Sequence, residues 1–376
     1  MSRERAYRIL ILGGYGHFGA RIAQALVAHA GAHLIVAGRD LARAQASANG
    51  LAQRGPASAE GACVDAGDPQ LTTILRSLAI DLVIHTAGPF QQQSYHVAQA
   101  CIDAGAHYVD LADGRQFVAG IVDLDAAARG RGVLIVSGAS TVPALSAAVI
   151  DHYRDRFAAI TDIAVGITPG NRTPRGLSTV ESVLSYCGKP LQRWQNGRWQ
   201  RVYGWQDLHR VRYPRLGWRW FATCDVPDLA LFPQRYGASG SVRFHAGLEL
   251  AVIQFSLWLM SWLSRWRLVS SWLPAAPALK HASEWVMGWG SDAGGMHVDI
   301  AGRDTDGRQR TLRWILTAFR GHGPQIPCVA AIVIARKLMH GELSTSGATP
   351  CLDLMTLAEF DATVQGLDIG WREEWS

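Results

Sequence analysis

The stretch ILILGGYGHFGARIAQAL, residues 9–26, decides how the first part of this chain folds. An apolar run, 9–12, ends in glycines at 13, 14, 16 and 19 and then passes into apolar residues at helical spacing. A continuous apolar run bounded by turn residues is the pattern of a strand buried on both faces. Gly14-Tyr15-Gly16-His17-Phe18-Gly19 fits G-x-G-x-x-G, here placed between strand and helix, where the motif has a mechanism. The first glycine permits a tight turn, the second lets the backbone approach a pyrophosphate, and the third lets helix and strand pack closely. The helix N-terminus adds free N–H groups and the positive end of its dipole. A plain strand-to-helix turn that uses glycine for geometry is the alternative.

Working outward, YRILIL (7–12), HLIVAG (33–38), ACVD (62–65), DLVIHTA (81–87), HYVDLA (107–112) and GVLIVS (132–137) read as strands. Helical segments alternate with them, over about 17–30, 40–53, after Pro69 and 93–104. Strand and helix in alternation predict an α/β fold, a Rossmann-type doubly wound parallel sheet over 1–150. All 14 tryptophans lie after residue 190, and the pattern changes there. RWQNGRWQRV (193–202) predicts a hairpin around Asn196-Gly197. RWFATCDV (219–226), SVRFHAGLEL (241–250) and HVDIAGRDTDGRQRTLRWILTAF (297–319) read as further strands. A second α+β domain with a mainly antiparallel sheet is expected over 151–320. A C-terminal segment, 321–376, follows with a helix over 327–341 that starts at a proline and ends near a glycine.

The end of the second strand selects the cofactor. NAD sites place Asp or Glu there, on the ribose 2′-hydroxyl. This chain has VAGRD, with Gly38 and Arg39 at that point. An arginine can take the 2′-phosphate of NADP in a bidentate grip, so NADP is expected rather than NAD. Asp40 is the competing signal, unless it caps the next helix. Asp65, after the third predicted strand, is placed to reach the adenine. Thr86, Ala87, Gly88, Pro89 and Phe90, after the fourth, are placed for backbone contact with the nicotinamide ribose, because ligands sit beyond the carboxyl ends of the strands.

Composition narrows the classes. With 48% hydrophobic and 18% charged residues the chain can bury a large core. The 36 basic and 31 acidic residues give a net charge of +5 with no dense basic block, so nucleic acid is not an expected partner. The six cysteines are far apart without CxxC pairing, and the 13 histidines form no HExxH-like pattern, so neither metal nor disulfide scaffold is expected. The N-terminus enters a strand with no leader-like run, which predicts a cytoplasmic location. The longest apolar stretch, 248–263, contains Glu249 and Gln254 and is short for a membrane span.

GGYGHFGARIA (13–23), VIHTAGPF (83–90), CIDAGAHYVDLADGR (101–115) and VSGASTVPALS (136–146) together resemble the saccharopine dehydrogenase-like (saccharopine reductase) family. The resemblance is strong over about 5–150 and looser over the Trp-rich remainder. It implies a Rossmann domain, a second α+β domain set between its parts, and a C-terminal helix returning to the first. It also implies reduction of an imine by a nicotinamide cofactor, forming or splitting a secondary amine; some relatives act in lipid pathways.

Hydride transfer needs geometry and a proton relay. YVDLADGR (108–115) offers Asp113 as the polar group nearest such a relay, or as the cap of the following helix. Tyr213 is a candidate proton donor in the second domain, or simply packs beside Pro214. Phe255, Trp258, Leu259, Trp262, Leu263 and Trp266 recur at helical spacing. That stripe reads as a buried or dimer-interface helix, as the wall of a hydrophobic substrate pocket, or as a helix on a membrane surface. The expectation is an NADP-dependent oxidoreductase acting on a C=N, C=O or C=C bond of a small-molecule or lipid-like substrate, assembled as a homodimer, with peripheral membrane contact as a further partner. A non-catalytic dinucleotide-binding sensor or scaffold, and a membrane-surface lipid-binding protein, are the alternatives.

Overall fold

A computed structural model describes residues 5–91 and 93–376. The chain divides into two compact units, residues up to Leu145 with Gln325–Thr363, and Ser146–Pro324 with the last residues from Val364.

The first unit opens with strands β1 (Tyr7–Leu12), β2 (Ala32–Gly38), β3 (Ser58–Cys63), β4 (Leu82–His85), β5 (His107–Asp110) and β6 (Leu134–Ser137). The chain then builds β7 (Ala159–Thr168), β8 (Pro190–Gln195), β9 (Arg198–Tyr203), β10 (His209–Tyr213), β11 (Gly217–Thr223), β12 (Ser241–Leu248), β13 (Gly294–Arg303) and β14 (Gln309–Ala318) in the second unit. It returns to the first for the helix Val329–Met339 and β15 (Gly347–Pro350), and ends in the second with β16 (Ile369–Trp375).

The first sheet runs β15-β6-β5-β4-β1-β2-β3, every pairing parallel. Ile9, Leu10, Ile11 and Leu12 are all buried, as a strand covered on both faces requires. The helix Gly19–Leu26 buries Gly19, Ile22, Ala23 and Leu26, one stripe at three- and four-residue steps. The returning helix Val329–Met339 belongs to this unit, as the family resemblance implies, and Cys328 just before it donates its thiol to the Phe18 carbonyl at 3.7 Å. β1 lies between β2 and β4, so the strand order reverses there, and in doubly wound sheets the ligand crevice forms at that reversal.

Three elements differ from expectation. The third strand is 58–63, not 62–65. It is an edge strand paired only with β2, so it lacks the continuous apolar run of a central strand. Gly61 lets the helix Leu41–Ala52 press directly on it: a Cβ there would stand 2.6 Å from Gln45 Cα. β15, Gly-Ala-Thr-Pro, carries no periodic signal; it pairs with β6 at the sheet edge, where Pro350 is tolerated. β16 pairs with β14, so the final strand of the expected 321–376 segment joins the second unit, while the helix of that segment belongs to the first.

The second sheet runs β10-β11-β12-β7-β13-β14-β16 and is antiparallel except for the β12–β7 pair. β8 and β9 form the expected hairpin, with Asn196 and Gly197 at φ +53° and +70°, as a two-residue hairpin turn demands. Among the described residues no helix is long and apolar enough to cross a membrane.

Candidate dinucleotide site

The glycine turn sits at the carboxyl end of β1 and is closed by backbone contacts. Gly16 N–H donates to the Gly13 carbonyl at 2.8 Å, and the N–H groups of Gly13 and Gly14 donate to the Ala37 carbonyl at 2.9 and 3.0 Å. Gly13 has φ +77°, and a Cβ there would stand 2.8 Å from Thr86 Oγ1. A Cβ on Gly19 would overlap the Gly13 carbonyl oxygen and lie 2.8 Å from Gly14 Cα, so no side chain fits where helix meets strand. The helix starting at Gly19 has no side-chain cap. Among the described residues the N–H groups of Tyr15, His17 and Phe18 have no acceptor, so the turn ends on free donors. A small, donor-lined cradle ahead of a helix dipole fits a pyrophosphate.

The expected side chains of the turn take distinct roles. The Tyr15 ring lies against Gly38, where a Cβ would meet it at 2.5 Å, and its hydroxyl accepts from Asp40 N–H at 3.1 Å. The Arg43 guanidinium sits 4.6 Å from that ring's centroid, a cation–π contact. His17 lies 3.2 Å from an Arg21 guanidinium nitrogen, and burial with the Arg21 charge lowers its pKa, so it is neutral near pH 7. Phe18 contributes its carbonyl to the Cys328 thiol and its ring to an edge contact with His17.

At the end of β2, Asp40 accepts from Arg43 N–H at 3.0 Å and caps the helix Leu41–Ala52. Arg39 is exposed, and among the described residues its guanidinium has no hydrogen-bond or ion-pair partner. Val64 N–H donates to the Gly38 carbonyl at 3.1 Å, which brings the loop carrying Asp65 beside Arg39. Asp65 holds its own loop through Gly67 N–H at 2.9 Å. Arg43 was not among the residues expected here; its i+4 spacing from Arg39, across the first turn of a helix, was the available signal.

After β4, Thr86 Oγ1 donates to the Leu12 carbonyl at 2.8 Å and tethers this loop to the glycine turn. Gln93 Nε2 donates to the Ala87 and Pro89 carbonyls at 2.8 and 2.9 Å and fixes the Ala87–Gly88–Pro89 path. The Phe90 ring is buried against His85 and Phe117, at 5.1 and 5.5 Å between centroids, so its side chain serves the core and its backbone alone is left for the expected contact.

Asp113 is exposed and accepts from Gln91 Nε2 at 3.0 Å. It does not cap the following helix, whose N-cap is Gly114. The buried carboxyl of this loop is Asp110. Its Oδ1 accepts from Ala112 N–H at 2.9 Å, Gly138 N–H at 2.8 Å and the Ser137 hydroxyl at 3.0 Å, tying the loops after β5 and β6 together. Burial pushes its pKa up to about 6 against the pull of those donors. His85 is buried beside Tyr108, 3.2 Å from Nδ1 to the hydroxyl, and burial lowers its pKa to about 4.

Tyr213 lies in the second unit, buried, with its hydroxyl 2.6 Å from His297 Nδ1. Burial raises its pKa well above the usual phenol value and lowers that of His297 to about 4. The pair is a satisfied core contact of the second sheet, so Tyr213 is not exposed for proton donation. Among the described residues no group of three or more His, Cys, Asp or Glu is placed to hold a metal.

Residues 9–159 match the family described as the saccharopine dehydrogenase NADP binding domain. No curated protein matches the chain. Among solved structures, the apo saccharopine dehydrogenase (L-Glu forming) of Saccharomyces cerevisiae is similar with a TM-score of 0.68 and 13% identity, covering 98% of this chain and 100% of that one. At that identity the likeness shows the fold. A dehydrogenase from Chromobacterium violaceum aligns with a TM-score of 0.40 and 10% identity, over 84% of this chain and 76% of that one. GenD2 from gentamicin A biosynthesis, solved with NAD, aligns at 0.39 and 15%, over 83% and 73%.

Proposed function

Given that residues 9–159 form a saccharopine dehydrogenase-like NAD(P)-binding domain, we propose that the protein is an NADP-dependent oxidoreductase acting on a C=N or C=O bond. The observation that carries the reading is the pairing of an open glycine cradle with an unpartnered Arg39 at the end of β2. The Asp40 carboxylate, which would favour a ribose hydroxyl, is engaged as a helix cap. Arg39 is left to meet a phosphate, while Arg43, four residues on, lies over the Tyr15 ring.

The bound nicotinamide supplies hydride chemistry. The chain supplies the rest. Free N–H groups of the turn hold the pyrophosphate, and the Gln93-clamped carbonyls of Ala87 and Pro89 fix the loop after β4. Asp113, aimed by Gln91, is the polar group proposed to hold the substrate nitrogen or oxygen and to position its proton.

Calorimetric titration with NADPH and, separately, NADH tests the proposal. Tighter binding of NADPH, reversed by Arg39→Asp, supports it. Equal binding of both, or an Arg39→Asp variant with unaltered preference, overturns the NADP assignment. Binding of neither overturns the cofactor reading altogether.

A further inference from the structure

The helix Ala251–Arg265 is turned outward. Its fully buried positions include two polar residues, Gln254 and Ser261: Gln254 Oε1 accepts from Leu248 N–H at 2.9 Å, with Nε2 left without a partner among the described residues, and Ser261 donates to the Trp258 carbonyl at 2.6 Å. The opposite face is apolar. Val252, Leu259 and Trp266 are 58%, 56% and 63% exposed, and with Phe255 and Trp262 they form one stripe at three- and four-residue steps. The stripe continues onto the neighbouring sheet. Phe255 packs edge-on against Trp220 at 5.1 Å, and the Arg210 guanidinium lies 5.2 Å from Trp220 and 5.3 Å from Trp218, itself 58% exposed.

An apolar face this continuous marks a binding surface, since soluble monomers keep such patches small. Its charge says which kind. From 250 to 283 the chain has no acidic residue; Lys280 is neutralised by Glu284, but Arg265 and Arg267 have no ion-pair partner among the described residues, and β10 adds Arg210 and Arg212 beside the tryptophans. Arg265 itself lies over the Trp262 ring at 4.9 Å. Indole and guanidinium groups around an aliphatic stripe suit the headgroup boundary of a bilayer, and the unbalanced positive charge suits anionic headgroups. A second copy docked through the same face by a two-fold axis would set these arginines against one another with no carboxylate to meet them. We propose that this face seats the protein on an anionic phospholipid bilayer, independently of the cofactor reading.

The test is co-sedimentation of the full chain with phosphatidylcholine vesicles that contain phosphatidylglycerol, against pure phosphatidylcholine vesicles. Binding is expected only with the anionic lipid, weakened by added salt. The variant V252S/L259S, altered only at exposed positions, is expected to bind about tenfold more weakly or less, because two apolar side chains no longer enter the bilayer. Brominated acyl chains are expected to quench tryptophan fluorescence in the native protein and less in the variant. Unchanged far-ultraviolet circular dichroism and NADPH titration certify that the variant is folded. No binding to anionic vesicles, equal binding to both lipids, or undiminished binding by the variant overturns the proposal. So does a concentration-dependent dimer that V252S/L259S abolishes without any vesicle binding, which would assign the face to a second copy.

Discussion

Asp110 links the acid–base state of the first unit to its stability. The carboxyl is fully buried at the end of β5, and Oδ1 holds three donors from two loops. Oδ2 is buried without a hydrogen bond of normal geometry among the described residues. Its pKa in the fold is about 6, from an ordinary value of 3.8, because desolvation of the charge outweighs the donors. A raised carboxyl pKa means the fold prefers the protonated acid. Between pH 4 and 6 the unfolded chain has released this proton and the fold has kept it, so stability falls as pH rises through that window and levels off above it. The whole effect is worth about 3 kcal/mol, of which about half is lost between pH 5 and 8. Asp110→Asn keeps an oxygen for the three donors and has no proton to release.

The comparison has to be a difference between the two proteins, because other buried groups titrate as well. Asp228 in the second unit, pushed up to about 7 by burial, adds a step of the same sign. His85, held near 4, acts oppositely: the unfolded chain protonates first as pH falls, so its contribution is lost below about pH 6.5. Native-state hydrogen exchange of the β5 and β6 amides, corrected for intrinsic rates, reports the stability of the first unit alone. The wild-type minus Asp110→Asn difference is expected to fall by about 1.4 kcal/mol from pH 5 to 8. Parallel profiles across that range would refute the claim that a buried, reluctantly ionised Asp110 joins these loops.

Arg39→Asp is expected to weaken NADPH at least about tenfold while leaving NADH within a few-fold, measured by calorimetry, since a charge-assisted contact to phosphate is replaced by repulsion. Gly19→Ala is expected to abolish binding of both nucleotides and to destabilise the first unit by about 1–3 kcal/mol in urea unfolding, because the backbone of Gly13 and Gly14 cannot move aside; retained nucleotide affinity would remove the turn from the site. Tyr213→Phe is expected to destabilise the second unit by about 1–3 kcal/mol in urea unfolding, since it leaves the buried His297 nitrogen without its partner. A Tyr213→Phe protein of unchanged stability and much reduced turnover would restore Tyr213 as a proton donor.

The apolar run, glycine turn and helix of residues 9–26 were legible because their signals are local. Hydrophobic runs, positive-φ glycines and cap residues are set within a few residues of chain, and β1, β2, the glycine turn and the Asn196-Gly197 hairpin appear where those signals put them. β3 and β15 were not legible, because an edge strand is made by the neighbour it pairs with and needs no apolar run of its own. Phe90 and Tyr213 show the same limit for side chains. Each belongs to a residue type that binds or reacts when exposed, and each is taken into a core by a partner distant along the chain, Phe117 for one and His297 for the other.

Sequence alone therefore determined the parallel nucleotide-binding half, its glycine cradle and the arginine at the end of β2, since spacing along the chain dictates all three. Tertiary structure decided which charges remain available. Asp40 was withdrawn to a helix cap, Arg43 was drawn to Tyr15, and Arg39 was left exposed. It also decided which face of the Trp-rich helix looks outward. Periodicity defines a stripe but not its direction, and here Gln254 and Ser261 found partners inside while the apolar stripe was left to solvent.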